Sequence, residues 1–246
     1  MPFFHLRSEG FWHLVAQPGR EAKLSSISTI TSLTQLRELI LGARLDEELF
    51  AQMQQPAART LFRTVLIETY FAPELHSILL AQSETNVEAF RYSQALIEIA
   101  HSTKKVRETT GADLYMAGPV RAQGFRRVVV AAYDHRCAFC GIRMQTADGR
   151  TVVDAAHIKP WSISHNDDPR NGLALCRLCH WTFDAGLLGV SDQYALLTAT
   201  QLSVAPNLPG HLATLTGRNI FLPEDDRLRP DKAMLTWHRR HLFGER

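Results

Sequence analysis

The chain has 246 residues, 45% of them apolar and 21% charged, with 14 Gly, 11 Pro and 4 Cys. That balance excludes collagen-like, low-complexity and wholly disordered chains, and the length allows one or two domains with real cores. The net charge of +2 divides as 11 basic against 12 acidic residues over 1–110 and 16 against 13 over 111–246, which permits nucleic-acid contact without requiring it. No apolar run approaches the roughly 18–20 residues of a membrane span, so no membrane partner is expected. Met-Pro-Phe-Phe-His has neither the basic nor the apolar region of an export signal, so a cytoplasmic location is expected. Four cysteines in such a chain point to a metal site or free thiols, not a disulfide framework.

From the start, Phe3 to Val15 is rich in aromatic and β-forming residues around Ser8-Glu9-Gly10, and predicts a β-hairpin turning at that triplet. A polar Ser/Thr-rich stretch follows, Leu24 to Thr34. Leu36, Leu39 and Ile40 keep helical spacing up to Gly42, and Asp46 is placed to cap a helix over Glu47–Gln55. Pro56 suits the first turn of a helix through Leu61, Val65 and Phe71, with Pro73 beyond its end. Val87 to Val106 predicts a longer helix with Phe90, Leu96, Ile97 and Ile99 on one face, and these stripes read as a helical core. Thr109 to Gly118, followed by Pro119, reads as a linker, and a short helix from Arg121 leads to the first cysteine.

Cys137-Ala-Phe-Cys140 and Cys176-Arg-Leu-Cys179 are two C-x2-C pairs with 35 residues between them. Each pair can form a knuckle that turns two thiolates to one ion, and two knuckles complete the tetrahedral sulfur site that suits Zn2+. Buried thiols and two disulfides are the alternatives. Gly141 supplies the tight turn a knuckle needs. A closed four-thiolate site holds a fold and does no chemistry.

Between and after the knuckles the sequence predicts a strand over Val152–Ile158 ending at His157, a polar loop, a second strand over Gly172–Leu175, and a helix over Leu178–Ala185 stopped by Gly186. His157 is followed 14 residues on by Asn171, and His180 lies 9 beyond that. This order, interleaved with the four cysteines, resembles the ββα-metal motif of the HNH endonucleases over roughly residues 121–190. The wording Ala-Ala-His-Ile-x-Pro-Trp and Asn-Gly-Leu-Ala-Leu-Cys-x-x-x-His-x-x-Phe-Asp is similar to HNH domains of modification-dependent restriction enzymes. The resemblance implies that His157 is the general base that activates water, that Asn171 orients His157 or braces the loop, and that His180 ligates a catalytic divalent ion, Mg2+, Mn2+ or another. Asp184, one turn after His180, is the expected second ligand. Many HNH proteins carry Asp or His directly before the first His, where this chain has Ala156; Asp154 shares that strand face about 6.5 Å back and is a weaker ligand candidate. Lys159, His165 and Arg170 lie in the connecting loop, where Lys159 and Arg170 are candidates for phosphate contact. Trp161 and Trp181 read as packing residues, and Trp237-His-Arg-Arg-His241 as a packed helix with a basic face.

The opening Pro2-Phe3-Phe4-His5-Leu6 through Gly10-Phe-Trp12 is similar to part of the sulfur-binding domains that precede HNH modules and accept phosphorothioate DNA on an apolar surface. The similarity implies that Pro2, Phe3 and His5 belong to that surface. The similarity starts partway through such a domain, and a truncated start would leave the sulfur pocket incomplete. Packing of Phe3, Phe4, Phe11 and Trp12 is the competing explanation.

The expected architecture is α+β: a mainly helical recognition or scaffold domain over 1–110 with a β-hairpin, a linker over 111–120, a zinc-clamped HNH nuclease domain over 121–190, and a C-terminal extension over 191–246 packed on it. The expected function is divalent-metal-dependent cleavage of double-stranded DNA, modified DNA included, in bacterial or phage restriction or defence, with a homodimer forming on the DNA. The alternative is a zinc-stabilised DNA-binding module whose active site has decayed.

Overall fold

The computed structural model describes residues 2–102, 118–146, 149–200, 202, 212 and 214–244. The fold is α+β and divides into two compact units, Met1–Leu80 and Ala81–Arg246.

The first unit opens with α1 (Pro2–His5) and a 3-10 turn over Leu6–Glu9, then β1 (Trp12–Ala16), α2 (Glu21–Ser26), α3 (Leu33–Leu39), β2 (Ile40–Leu45), α4 (Glu47–Met53), α5 (Pro56–Tyr70) and the start of α6 (Pro73–Ser102). The expected hairpin is corrected: Phe3 and Phe4 are helical, and Gly10, at φ +76, ends the 3-10 turn and redirects the chain into β1. The strand partner is instead β2, antiparallel with Trp12 opposite Leu45 and Val15 opposite Gly42. Ile40, read as helical from its spacing, and Gly42, expected to stop that helix, therefore both lie in a strand. Spacing alone cannot separate the two here, because Leu36 and Leu39 do belong to α3. Phe4, Leu24, Ile30, Leu39 and Ile40 form the small core. Asp46 caps α4 as expected, its carboxylate accepting from the backbone N–H groups of Glu48 and Leu49. Pro56 opens α5.

In the second unit, the later part of α6 buries Ala89, Tyr92, Leu96 and Ala100. Then come α7 (Gly118–Ala132), the first knuckle, β3 (Val153–His157), α8 (Trp161–Ser164), a 3-10 turn over Pro169–Asn171, β4 (Gly172–Cys176), α9 (Arg177–Asp184), β5 (Leu188–Val190), β6 (Leu196–Thr198) and α10 (Lys232–His241). The unit boundary falls within α6 and not at the expected linker, because Tyr92 and Leu96 join the core of Phe125, Val129, Leu173 and Phe183. Of that linker, 111–117 lie outside the described residues, while 118–120 open α7.

Strand β3 pairs antiparallel with β4, placing Val153 opposite Cys176 and His157 opposite Gly172. Gly172 matters because α7 crosses here: a Cβ at 172 would lie 2.5 Å from Val129 Cγ2 and 3.0 Å from Phe125 Cζ. Helix α10, capped by Asp231, packs through Leu235 and His238, with His238 stacked 3.7 Å from Phe183 of α9.

Candidate functional site

The four cysteines come together from two chain turns. In the first knuckle the Cys137 N–H donates to Ile142 O and the Gly141 N–H to Cys137 O, with Gly141 at φ +78. In the second, Cys176 ends β4 and Cys179 lies in the first turn of α9. The four sulfurs lie within 4.8 Å of one another, with Cys140 and Cys176 3.8 Å apart. Zn2+ with bonds of about 2.3 Å has tetrahedral edges of about 3.8 Å, so this donor set fits zinc. Hydrogen bonding among the four thiols lowers Cys140 and Cys176 and raises Cys137 and Cys179, so the sulfurs share protons while no ion is bound. Among the described residues this is the only group of three or more Cys, His, Asp or Glu side chains that could hold an ion.

His157 is the last residue of β3, and its half-buried ring stacks on Phe125 of α7 at 3.9 Å and 9° between planes. Its Nε2 is 2.9 Å from Asp167 Oδ1. Asp167 is 5% exposed and also accepts from Arg121 Nη1 at 2.6 Å and from Tyr92 Oη at 3.0 Å. Burial alone would raise the Asp167 carboxyl, but the His157 and Arg121 bonds outweigh it and hold the group below the usual carboxylate range. Tyr92 is pushed well up by its own burial and then by Asp167, so it stays a neutral donor.

Facing this from α9, His180 Nε2 and Asp184 Oδ2 are 3.4 Å apart, one helical turn along the chain. Both side chains are partly open to solvent. Partial burial lifts the Asp184 carboxyl, against the opposing pull of His180 and then of His157. Both imidazoles thus lower the Asp184 carboxyl electrostatically, and α9 packs against β3, the strand that ends at His157. His180 and Asp184 fit a divalent ion that keeps several waters, the open coordination a hydrolytic metal needs.

Asn171 is fully buried, and among the described residues its side-chain hydrogen bonds go to Lys159 and Asn166, not to His157. Its Oδ1 accepts from Lys159 N at 2.9 Å, and its Nδ2 donates to Lys159 O and Asn166 O. It ties both ends of the loop that delivers Asp167, so of the two roles implied for it the contacts are those of a brace.

Arg170 requires correction as a phosphate contact: it is 7% exposed and its Nε and Nη2 pair with Asp168 at 2.9 and 2.6 Å. A guanidinium turned inward to a carboxylate two residues away is spent on the loop. Lys159 is half-buried, its Nζ 5.7 Å from the Trp237 ring. Asp154 points away to Arg126, which donates to it at 2.7 Å, and Ala156 is buried. Trp161 packs under Arg121 at 4.0 Å and against His165. Trp181 is 63% exposed, a correction to its expected packing: on α9 it lies on the outward side, while Thr182 and Phe183 fill the core. In the C-terminal helix His238 is buried and Arg239 bonds Val190 O and Asp192. Near the N-terminus Phe4 is buried and Phe3 stacks edge-on against Trp12 at 5.1 Å.

Sequence reasoning missed Asp167, Arg121, Tyr92 and Phe125. Asp167 carried a faint signal, an acidic residue in a short loop between the two histidines. The others come from helices far off in sequence and carried none.

Residues 137–191 match the HNH endonuclease family, which supports a nuclease of that type. Among solved structures, a modification dependent TagI restriction endonuclease is 25% identical, over 57% of this chain and 44% of that one, with a TM-score of 0.38. The chain thus spans less than half the length of that protein. No curated protein matches it.

Proposed function

We propose that this protein is a metal-dependent endonuclease that hydrolyses phosphodiester bonds in double-stranded DNA. His157 is the general base, and His180 with Asp184 holds one divalent ion, Mg2+ or Mn2+. The observation that carries this reading is the 3.4 Å pairing of His180 with Asp184 on α9, the helix that packs against β3 and so against the strand that ends at His157, within the segment similar to HNH endonucleases. A neutral imidazole takes a proton from water near pH 7. The water oxygen then bonds to phosphorus as the bond to the 3′ oxygen breaks; that oxygen leaves with the bonding pair and takes a proton from solvent. A divalent ion bound at His180 and Asp184 supplies charge neutralisation to the phosphate and the departing oxygen. The four-cysteine zinc clamps the ends of the ββα unit. Its place in restriction or defence, a preference for modified DNA and a homodimer on DNA belong to the same proposal.

The test is plasmid nicking with Mg2+ or Mn2+ beside His157→Ala and Asp184→Asn. The expected result is loss of nicking in His157→Ala and a raised metal requirement in Asp184→Asn. Equal nicking by His157→Ala and the parent would remove His157 from the chemistry. Competition among phosphorothioate, methylated and plain duplexes tests modification sensing, and light scattering on DNA tests dimerisation.

A second reading, a zinc-stabilised DNA-binding module without activity, draws on Ala156, which is buried and offers no ligand where many HNH proteins have one. DNA binding with one tight zinc per chain and no nicking in either metal would favour it.

A further inference from the structure

We propose that Asp167 is the positioning residue of the nuclease centre, fixing the His157 ring so that Nδ1 is the atom that accepts the proton from water. The inference rests on the general-base reading of His157 and deepens it. A carboxylate can only accept, so the 2.9 Å contact from His157 Nε2 requires the proton on Nε2. The lone pair then lies on Nδ1, and among the described residues no group bonds to that atom. Stacking on Phe125 confines the ring plane, leaving rotation within the plane to be set by the Asp167 bond.

Asp167 is itself held in place. Arg121 from α7 reaches both of its oxygens at 2.6 and 2.9 Å, and Tyr92 from α6 donates to Oδ2. Its backbone neighbours are tied by Asn171 and by the Asn166 side chain, which accepts from Asp168 N. The charged or titratable groups that act on His157 are thus Asp167, with Arg121 and Tyr92 behind it, and Asp184 with its partner His180 on α9.

Asp167→Ala makes the test, because it removes the acceptor that holds the Nε2 proton. An amide would not serve: the shorter Arg121 bond goes to Oδ1, the oxygen that also meets His157 Nε2, and the Tyr92 hydroxyl accepts as readily as it donates, so an amide oxygen at Oδ1 keeps the parental tautomer. In Asp167→Ala the ring loses the bond that sets both its tautomer and its rotation within the stack. We expect kcat for nicking to fall roughly 100-fold or more, with KM for DNA unchanged. Long-range proton–nitrogen NMR of the parent, with His157 assigned by its loss in His157→Gln, should show the Nε2–H form, and Asp167→Ala a mixture of both forms.

An Nδ1–H ring in the parent would overturn the proposal whether or not Asp167→Ala folds. So would Asp167→Ala with parental kcat while His157→Ala is inactive, which leaves the general-base reading standing. An active His157→Ala sinks that reading itself, and this proposal with it.

Discussion

The imidazole of His157 lies flat on the ring of Phe125, centroid to centroid 3.9 Å with 9° between planes. Phe125 is a core residue of α7, so the packing of a helix before the zinc knuckles sets the plane of the candidate base.

The same ring touches the start of β4, which makes Gly172 a test of that coupling. Adding a methyl at 172 meets Val129 and Phe125 at 2.5 and 3.0 Å. Overpacking of this kind costs about 1–3 kcal/mol. Gly172→Ala should fold with a lowered melting temperature and nick more slowly than that loss explains, because the displaced Phe125 ring carries His157 with it. Thermal denaturation beside nicking at a temperature well below unfolding separates the two effects. A rate equal to the parent's would show that the stack does not set the base.

Zinc binding and folding should be one equilibrium. A structural site of this type contributes its binding free energy to folding, since the ligands come together only in the folded chain. Elemental analysis of the purified protein should give one zinc per chain. Cys176→Ser should lose that zinc and unfold at a markedly lower temperature, because Cys176 lies where β4 meets α9. Full zinc retention in Cys176→Ser would contradict the four-thiolate site.

Arg170 should matter for stability and not for DNA affinity. Removing one partner of a buried pair leaves an uncompensated charge, a loss of about 3–5 kcal/mol. Arg170→Met strands Asp168, which is itself buried. Urea denaturation should record that loss, while the salt dependence of DNA binding by the folded fraction keeps its parental slope. A shallower slope would return Arg170 to the phosphate interface.

His238 should make stability depend on pH. Burial holds its pKa at about 4, below the 6.5 of an exposed imidazole, and among the described residues its Nδ1 has no hydrogen-bond partner. Below pH 6.5 the unfolded chain takes up a proton that the folded chain refuses. The stability is therefore complete above about pH 6.5 and declines as pH falls toward 4. Between pH 7 and pH 5 the loss is roughly 2 kcal/mol. In zinc-saturated buffer, His238→Phe should weaken that dependence in urea denaturation, and an unchanged dependence would assign it to other groups.

Much of the second unit was legible because its cues are local. The two C-x2-C pairs, the strand ending at His157, the four-residue step from His180 to Asp184 and Gly186 after α9 are short-range patterns, and backbone geometry alone turns them into a ββα unit. The first unit was harder to read where a strand depends on a distant partner. Trp12–Ala16 pairs with Ile40–Leu45, and nothing within either segment specifies the other.

From its own residues the chain determined the α+β class, the four-cysteine framework, and the identity and order of His157, Asn171 and His180. Tertiary packing decided which polar groups meet. Asp167 faces His157 instead of solvent because Arg121 and Tyr92, 46 and 75 residues away in sequence, neutralise and hold it. Arg170 turns inward because Asp168 is buried beside it. The physical reason is common to both: a buried charge adopts the position where its partners are, and those partners come from elements that only the folded core brings together.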